Sequence, residues 1–233
     1  MKLAIISDIH SNLEALTQAL AVIEESGVEE IICLGDIVGY GANPRECLEI
    51  VRACCRTIVK GNHDAAAADF SGVEHFSSHA RIAAEWTHDQ LSEAERTYLQ
   101  HLPMTAERDR LLFVHASPFE PSEWIYVLSA FEAKQAFQSL RHDIAFIGHS
   151  HVPFVLSEHG DEAEVKRGER YLINVGSVGQ PRDYNPQLSF GLFDTGEWKY
   201  LNVRRAYDTH AAAGKILDAG LPRRLAERLH MGI

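Results

Sequence analysis

Aspartate, histidine and asparagine recur in this chain directly after short apolar runs. Leu3 to Ile6 ends in Asp8-Ile-His10-Ser-Asn12, and Glu30 to Leu34 ends in Gly35-Asp36. Arg56 to Val59 leads into Gly61-Asn62-His63-Asp64, Leu111 to Val114 ends on His115, and Asp143 to Ile147 ends in Gly148-His149-Ser-His151. Carboxylate, amide and imidazole groups with no thiolate form a ligand set for Mn²⁺, Fe or Zn²⁺, and a poor one for Cu(I) or an iron–sulfur cluster. Asp8 and His10 stand at alternate positions, so an extended backbone points both to one side. A lone Asp-x-His is usually a satisfied polar turn. Five polar clusters, each behind its own apolar run, point instead to one shared metal site.

Convergence requires that the runs be strands of one architecture. A helix with its apolar face on Leu13, Leu16, Leu20 and Ile23 follows the first run, and Gly27 ends it. Pro44 suits the first turn of a second helix, reaching about Ala53. This alternation predicts βαβ units and a mainly parallel sheet, in which the loops after the strand carboxyl ends gather at one edge. Ala65 to His101 reads as mostly helical, with Ser92-x-x-Glu95 as a capping box. A helix is expected from Ala130 to about Leu140, antiparallel hairpins between Val152 and Val203, and helices near Thr209 to Ala219 and Pro222 to His230. No internal repeat or linker interrupts the pattern, so residues 1–233 are expected to form a single α/β domain.

Composition narrows the function classes. The chain has 233 residues, 45% hydrophobic and 24% charged, enough for a sizeable core. Its formal charge of −11 does not favour long nucleic acid as a partner, because binding along a polyanion takes many Lys and Arg contacts. No apolar run approaches a membrane span. The first strand begins at Lys2, which leaves no room for a secretory signal. Cys33, Cys47, Cys54 and Cys55 lack a metal or disulfide spacing and read as free thiols of a cytoplasmic protein. A homo-oligomer is compatible with the sequence.

Asp8-x-His10, Gly35-Asp36, Gly61-Asn62-His63-Asp64, His115 and Gly148-His149-x-His151 resemble, in order, the motif series of the calcineurin-like metallophosphoesterases. Asn174-Val-Gly-Ser-Val-Gly-Gln-Pro-Arg182-Asp183 is similar to the glycine-rich segment of small bacterial members. The resemblance implies a four-layer α/β/β/α sandwich of two mixed β-sheets flanked by helices. It implies two divalent metal ions, Mn²⁺ first, with Fe, Zn²⁺, Co²⁺ and Ni²⁺ also compatible. Asp36 would bridge them. Asp8, His10 and His151 would complete one site, and Asn62, His115 and His149 the other. His63 would be the general acid, or else a hydrogen-bond donor behind the ligands. The implied activity is hydrolysis of a small phosphorylated substrate, with a nucleotide-type phosphodiester or dinucleoside polyphosphate ahead of phosphomonoesters and phosphoproteins. A non-catalytic scaffold is the reading from another class.

The chain also departs from that pattern. In the protein-phosphatase branch the Gly-Asp segment continues to an Asp-Arg pair that orients the histidine and grips phosphate, whereas here Gly39 and Tyr40 stand there. Asp64 is one candidate to orient His63. Arg182, and more remotely Arg45, is a candidate for the missing phosphate contact, or else for a surface ion pair. Asn12 suits both a substrate contact and the cap of the helix at Leu13. His75 and His79 share the i, i+4 spacing of zinc sites, with no third ligand near, so a polar helix face is favoured. Trp86, Trp124 and Trp198 are too scattered for a base-stacking platform and read as packing residues.

Overall fold

Leu3, Ile5, Ile32 and Leu34 face one way and Ala4, Ile6 and Cys33 the other, and this period-two division sets the layers. The computed structural model describes residues 1–161 and 164–233. In the first sheet, β1 (Lys2–Ile6) is central. It pairs in parallel with β2 (Glu30–Cys33), which pairs in parallel with β3 (Cys55–Ile58). The second sheet is built on β5 (Leu111–Val114), β6 (Ile144–Ile147) and β9 (Tyr171–Asn174), also parallel. Phe113, Ile144, Phe146, Tyr171 and Ile173 of this sheet pack on Leu3, Ile5, Ile32 and Leu34 of the first. Burying each such side chain contributes about 1.5–3 kcal/mol.

The outer faces are covered by helices. Ala4, Ile6 and Cys33 pack on α1 (Leu13–Glu25), α2 (Pro44–Cys54) and Leu99. Leu112, Val114, Ala145, Ile147 and Leu172 pack on α6 (Ala130–Ser139). The result is the four-layer α/β/β/α sandwich. Between β3 and the second sheet the chain forms α3 (Asn62–Asp69), a 3₁₀ turn at Val73–His75, α4 (Ser78–Gln90) and α5 (Glu93–Gln100). The capping box at Ser92 and Glu95 is formed. Last come α7 (Thr209–Asp218) and α8 (Arg223–Met231), which pack with α4 in a separate cluster that includes Tyr40.

Four expectations need correction. The sheets are mixed, not mainly parallel. Strand β4 (Thr105–Arg108) runs antiparallel to β5, and β10 (Leu188–Asp194) and β11 (Lys199–Arg205) add an antiparallel edge beside β1. Between Val152 and Val203, β7 (Phe154–Ser157) with β8 (Gly160–Asp161) and β10 with β11 are hairpins, but β9 joins β6 in parallel. Helix α3 begins at Asn62, so Asn62 and His63 lie in a helical first turn rather than in the loop before it. His75 and His79 fall on different elements, and His75 is exposed beside Glu74. Among the described residues no helix is long and apolar enough to cross a membrane.

Candidate metal centre

The strand-end residues converge, though not through an extended backbone. Beyond β1 the chain curls into the left-handed region at Asp8 (φ 54°), His10 (φ 49°) and Ser11 (φ 54°), and Asp36, His149 and His151 do the same. Such conformations cost of order 1–3 kcal/mol each and persist where neighbouring structure imposes them. Here one loop is stitched to the next. The amides of Asp8, His10 and Ser11 donate to the carbonyls of Gly35, Asp36 and Ile37 at 3.1, 3.0 and 3.0 Å, and Gly179 N–H donates to Asp8 O at 2.9 Å. Gly61 allows α3 to approach closely, since a Cβ there would overlap the Asp36 carboxylate.

Two groups of ligand atoms result, with Asp36 in both. Asp8, His10, Asp36 and His151 form one, and Asp36, His115 and His149 the other, all buried, with atoms of each group within 4.8 Å of one another. Asn62 Oδ1 joins the second group, 3.2 Å from His115 Nε2. Main-chain carbonyls fix three tautomers. The Nδ1 atoms of His10, His115 and His151 donate to Val38 O, Leu34 O and Gln180 O at 3.2, 2.9 and 2.5 Å. Their Nε2 lone pairs therefore point inward, where His10 Nε2 and His151 Nε2 lie 3.1 Å apart. Two lone pairs at that distance repel unless a cation lies between them. Asp8 Oδ1 and His149 Nε2 are buried without hydrogen-bond partners. This donor set fits divalent cations, with the orienting second contacts that metal-binding histidines usually have.

The fields agree with that fit. Burial works against ionised Asp8 and Asp36, yet the surrounding imidazoles hold both carboxyls below the usual range. Burial pushes His149 down to about 3, and it also lowers His10 and His151, so these rings are neutral at pH 7. In His115 burial is outweighed by Asp36 and Asp8, and the metal-free ring rises to about 9.

His63 stands beside the cluster. Its backbone N–H donates to Asp36 Oδ1 at 2.8 Å, and its ring lies 4.3 Å from Tyr40 and 4.5 Å from Phe76, centroid to centroid. Burial lowers it to about 4. Asp64 does not orient it. The Asp64 carboxylate accepts the main-chain N–H groups of Asp36, Ile37, Val38 and Gly61, and so ties the loop before α2 to the start of α3. His63 Nδ1 is buried without a partner and faces Gly39, where a Cβ would come within 2.7 Å of it. The carboxylate expected behind this histidine is replaced by packing against aromatic rings.

The other candidates divide clearly. Asn12 has no amide group to spare: Oδ1 caps α1 through Ala15 N–H, and Nδ2 donates to Gly179 O at 2.8 Å and to Tyr207 at 3.2 Å. Arg45 is exposed and paired with Glu95, the ordinary surface ion pair. Arg182 reaches the site rim, with Nη2 donating to Gln180 Oε1 at 2.9 Å beside Tyr40. Residues that spacing did not reveal complete the lining. Tyr126 stacks on His149 at 3.8 Å, Trp124 meets His115 edge-on at 5.8 Å, and Phe76 and Arg228 flank Tyr40 and His63. A cavity of about 750 Å³ lies elsewhere, between α6 and β7.

The profile of the calcineurin-like phosphoesterase superfamily domain matches residues 1–197. The chain belongs to this superfamily. An uncharacterized protein of Methanocaldococcus jannaschii is 41% identical over 99% of this chain and 98% of its own. The phosphodiesterase YfcE of Escherichia coli K12 is 30% identical over 83% of this chain and 88% of its own. The crystal structure of a metallophosphoesterase from Sphaerobacter thermophilus superposes with a TM-score of 0.88 at 36% identity, covering 100% of this chain and 99% of that one. The superfamily membership makes this a phosphoric ester hydrolase, metal-dependent like its family. The matched residues stop before β11, α7 and α8.

Proposed function

We propose that this phosphoesterase holds two divalent ions and cleaves a small phosphorylated substrate, a nucleotide-type phosphodiester or dinucleoside polyphosphate in preference to phosphomonoesters or phosphoproteins. The observation that carries the reading is the pair of buried ligand groups sharing Asp36, with imidazole lone pairs turned toward each other. Asp8, His10, Asp36 and His151 would hold one ion, and Asp36, Asn62, His115 and His149 the other. When bound, the ions would polarise the phosphoryl oxygens and offset the charge of an in-line displacement. Mn²⁺ is the first choice for this oxygen and imidazole set.

The chain's own groups do the rest. With His63 Nδ1 sealed against Gly39, Nε2 is the ring nitrogen left to protonate the leaving oxygen. Burial keeps the resting ring neutral, and the negative charge of a bound phosphate draws a proton onto it. Tyr40 and Phe76 hold the ring's orientation, and Arg182 donates to the substrate's anionic end. The absence of the Asp-Arg pair at Gly39 and Tyr40 argues against a phosphoprotein substrate, and the name of the YfcE relative supports a phosphodiester. The four free cysteines suit the reducing cytoplasm, where we place the protein. The test is a panel of bis(p-nitrophenyl) phosphate, p-nitrophenyl phosphate, cyclic nucleotides and diadenosine tetraphosphate with Mn²⁺, Zn²⁺, Co²⁺ or Ni²⁺. Turnover of diester or anhydride above monoester is expected. Monoester turnover dominating with every metal would reject the substrate class.

A further inference from the structure

We propose that Arg182 and Arg228 form a second anion subsite beside the ligand cluster, one that selects substrates with a further phosphoryl group next to the one cleaved. This rests on the phosphoesterase reading and adds to it a residue from α8, outside the segment matched to the superfamily.

The two guanidinium groups come from distant parts of the chain and meet at one ring. Each lies 5.8 Å from the centroid of Tyr40, whose ring is 4.3 Å from that of His63 and 4.7 Å from that of His10. A single tyrosine therefore separates both cations from the reacting groups. Among the described residues no Asp or Glu side chain pairs with either arginine. Arg182 Nη2 donates to Gln180 Oε1 at 2.9 Å and, at 3.5 Å, to the Tyr40 hydroxyl, and its Nε is buried without a partner. Arg228 spends only Nε, donating to the Ile233 main-chain oxygen at 2.5 Å. In a chain of formal charge −11, two arginines at one ring with no Asp or Glu side chain on either are conspicuous. Burial, and then the charge of Arg182, depress Arg228 to about 10.

The fold holds them there. The loop that carries Arg182 is anchored by Asp183, which accepts both arms of Arg204 at 2.9 and 3.1 Å. Tyr184 N–H then donates to Gly232 O at 2.8 Å, tying the loop to the end of α8 and so to Arg228. Held positions matter because planar guanidinium forks bind phosphate oxygens in pairs at little further entropic cost. The spare donors set the ligand. A simple phosphodiester presents two non-bridging oxygens, which the fork of a single guanidinium matches. Arg182 Nε and the Nη groups of Arg228, held at one ring, suit a group with further oxygens, such as the next phosphoryl group of a phosphoanhydride.

The test compares wild type with R182M, R228M and R228K in two measurements. Calorimetry reads the Kd of inorganic pyrophosphate against that of orthophosphate. We expect wild type to favour pyrophosphate at least tenfold, R182M and R228M to lose most of that preference, and R228K to regain part of it. Steady-state kinetics reads kcat/KM for diadenosine tetraphosphate relative to bis(p-nitrophenyl) phosphate. That ratio should fall at least tenfold in R228M, mainly through KM. An unchanged ratio and an unchanged phosphate preference in R228M would overturn the subsite. Wild type that cleaves only the bis(p-nitrophenyl) ester would also overturn it while leaving the phosphoesterase reading intact, and wild type that cleaves neither substrate would overturn that reading itself. Unfolding midpoints of the variants identify any that fail to fold, for which R228K is the conservative replacement.

Discussion

Asp64 holds the loop that carries Asp36, the residue shared by the two candidate ligand groups, and Asp64→Asn tests that role with almost no change of shape. Oδ2 accepts Asp36 N–H at 2.8 Å and Gly61 N–H at 3.0 Å, while Oδ1 accepts Ile37 N–H at 2.9 Å and Val38 N–H at 3.3 Å. An asparagine has one acceptor oxygen, so its NH₂ group must face two of these four donors whichever way the amide turns. Two buried N–H groups left unsatisfied, at about 1–3 kcal/mol each, give a loss of roughly 3–5 kcal/mol, a large part of a typical domain's 5–15 kcal/mol. Asp36 sits in a left-handed conformation (φ 52°) that these bonds hold, so the metals should feel the change. By analogy with other groups that orient metal ligands, affinity should fall about 10–100-fold. Urea unfolding of chelated protein and calorimetric Mn²⁺ titration measure the two effects. Burial and Asp36 push the Asp64 carboxyl up to about 7, in opposition to the N–H groups. A D64N protein as stable as wild type, with unchanged affinity, would show that this opposition wins and that the four-donor argument is wrong.

His63→Ala should lower kcat by about 10²–10⁴-fold with metal content retained, because the contact to Asp36 comes from the backbone N–H. Full activity would remove His63 from the acid role. Gly39→Ala combines a positive φ of 92° with a Cβ 2.7 Å from His63 Nδ1. It should displace the ring and cost on the order of 10²-fold in turnover at unchanged metal stoichiometry, and wild-type rates would refute the packing argument. Native alkylation followed by peptide mass analysis should modify Cys54 first. That thiol is half-exposed and lowered by its hydrogen bond from Cys55, whereas burial raises Cys33 and Cys47, and Cys55 is raised first by its bond to Cys54 and then by burial. Equal labelling of Cys47 would contradict this.

The series of polar residues that converge was legible because each member follows its own apolar run, a local pattern that survives without any knowledge of the fold. The way those residues meet was not legible. Left-handed backbone at Asp8, His10 and Asp36 is imposed by hydrogen bonds between loops far apart in sequence, and no local preference announces it. Strand β4, Thr-Ala-Glu-Arg, lacks apolar alternation and is extended because β5 pairs with it. Strand β9 does pair antiparallel with β7, as a hairpin reading expects, and its parallel register beside β6 places it inside the sheet. Tyr40, Phe76 and Tyr126 reach the site from three separate segments. Arg228 sits in the last helix, whose approach to Tyr40 no local pattern announces. Asn12, by contrast, was already a good helix cap from its position, and the structure gives it that part.

The proposed dinuclear centre is tested most directly by counting and locating its ions. Protein purified without chelator, loaded with Mn²⁺ and crystallised, should give two metals per chain by elemental analysis. Anomalous difference peaks should fall in the two groups that share Asp36, and Asp36→Asn should weaken both. One ion per chain, no ion after loading, or peaks away from Asp8, His10, Asp36, Asn62, His115, His149 and His151 would contradict the account.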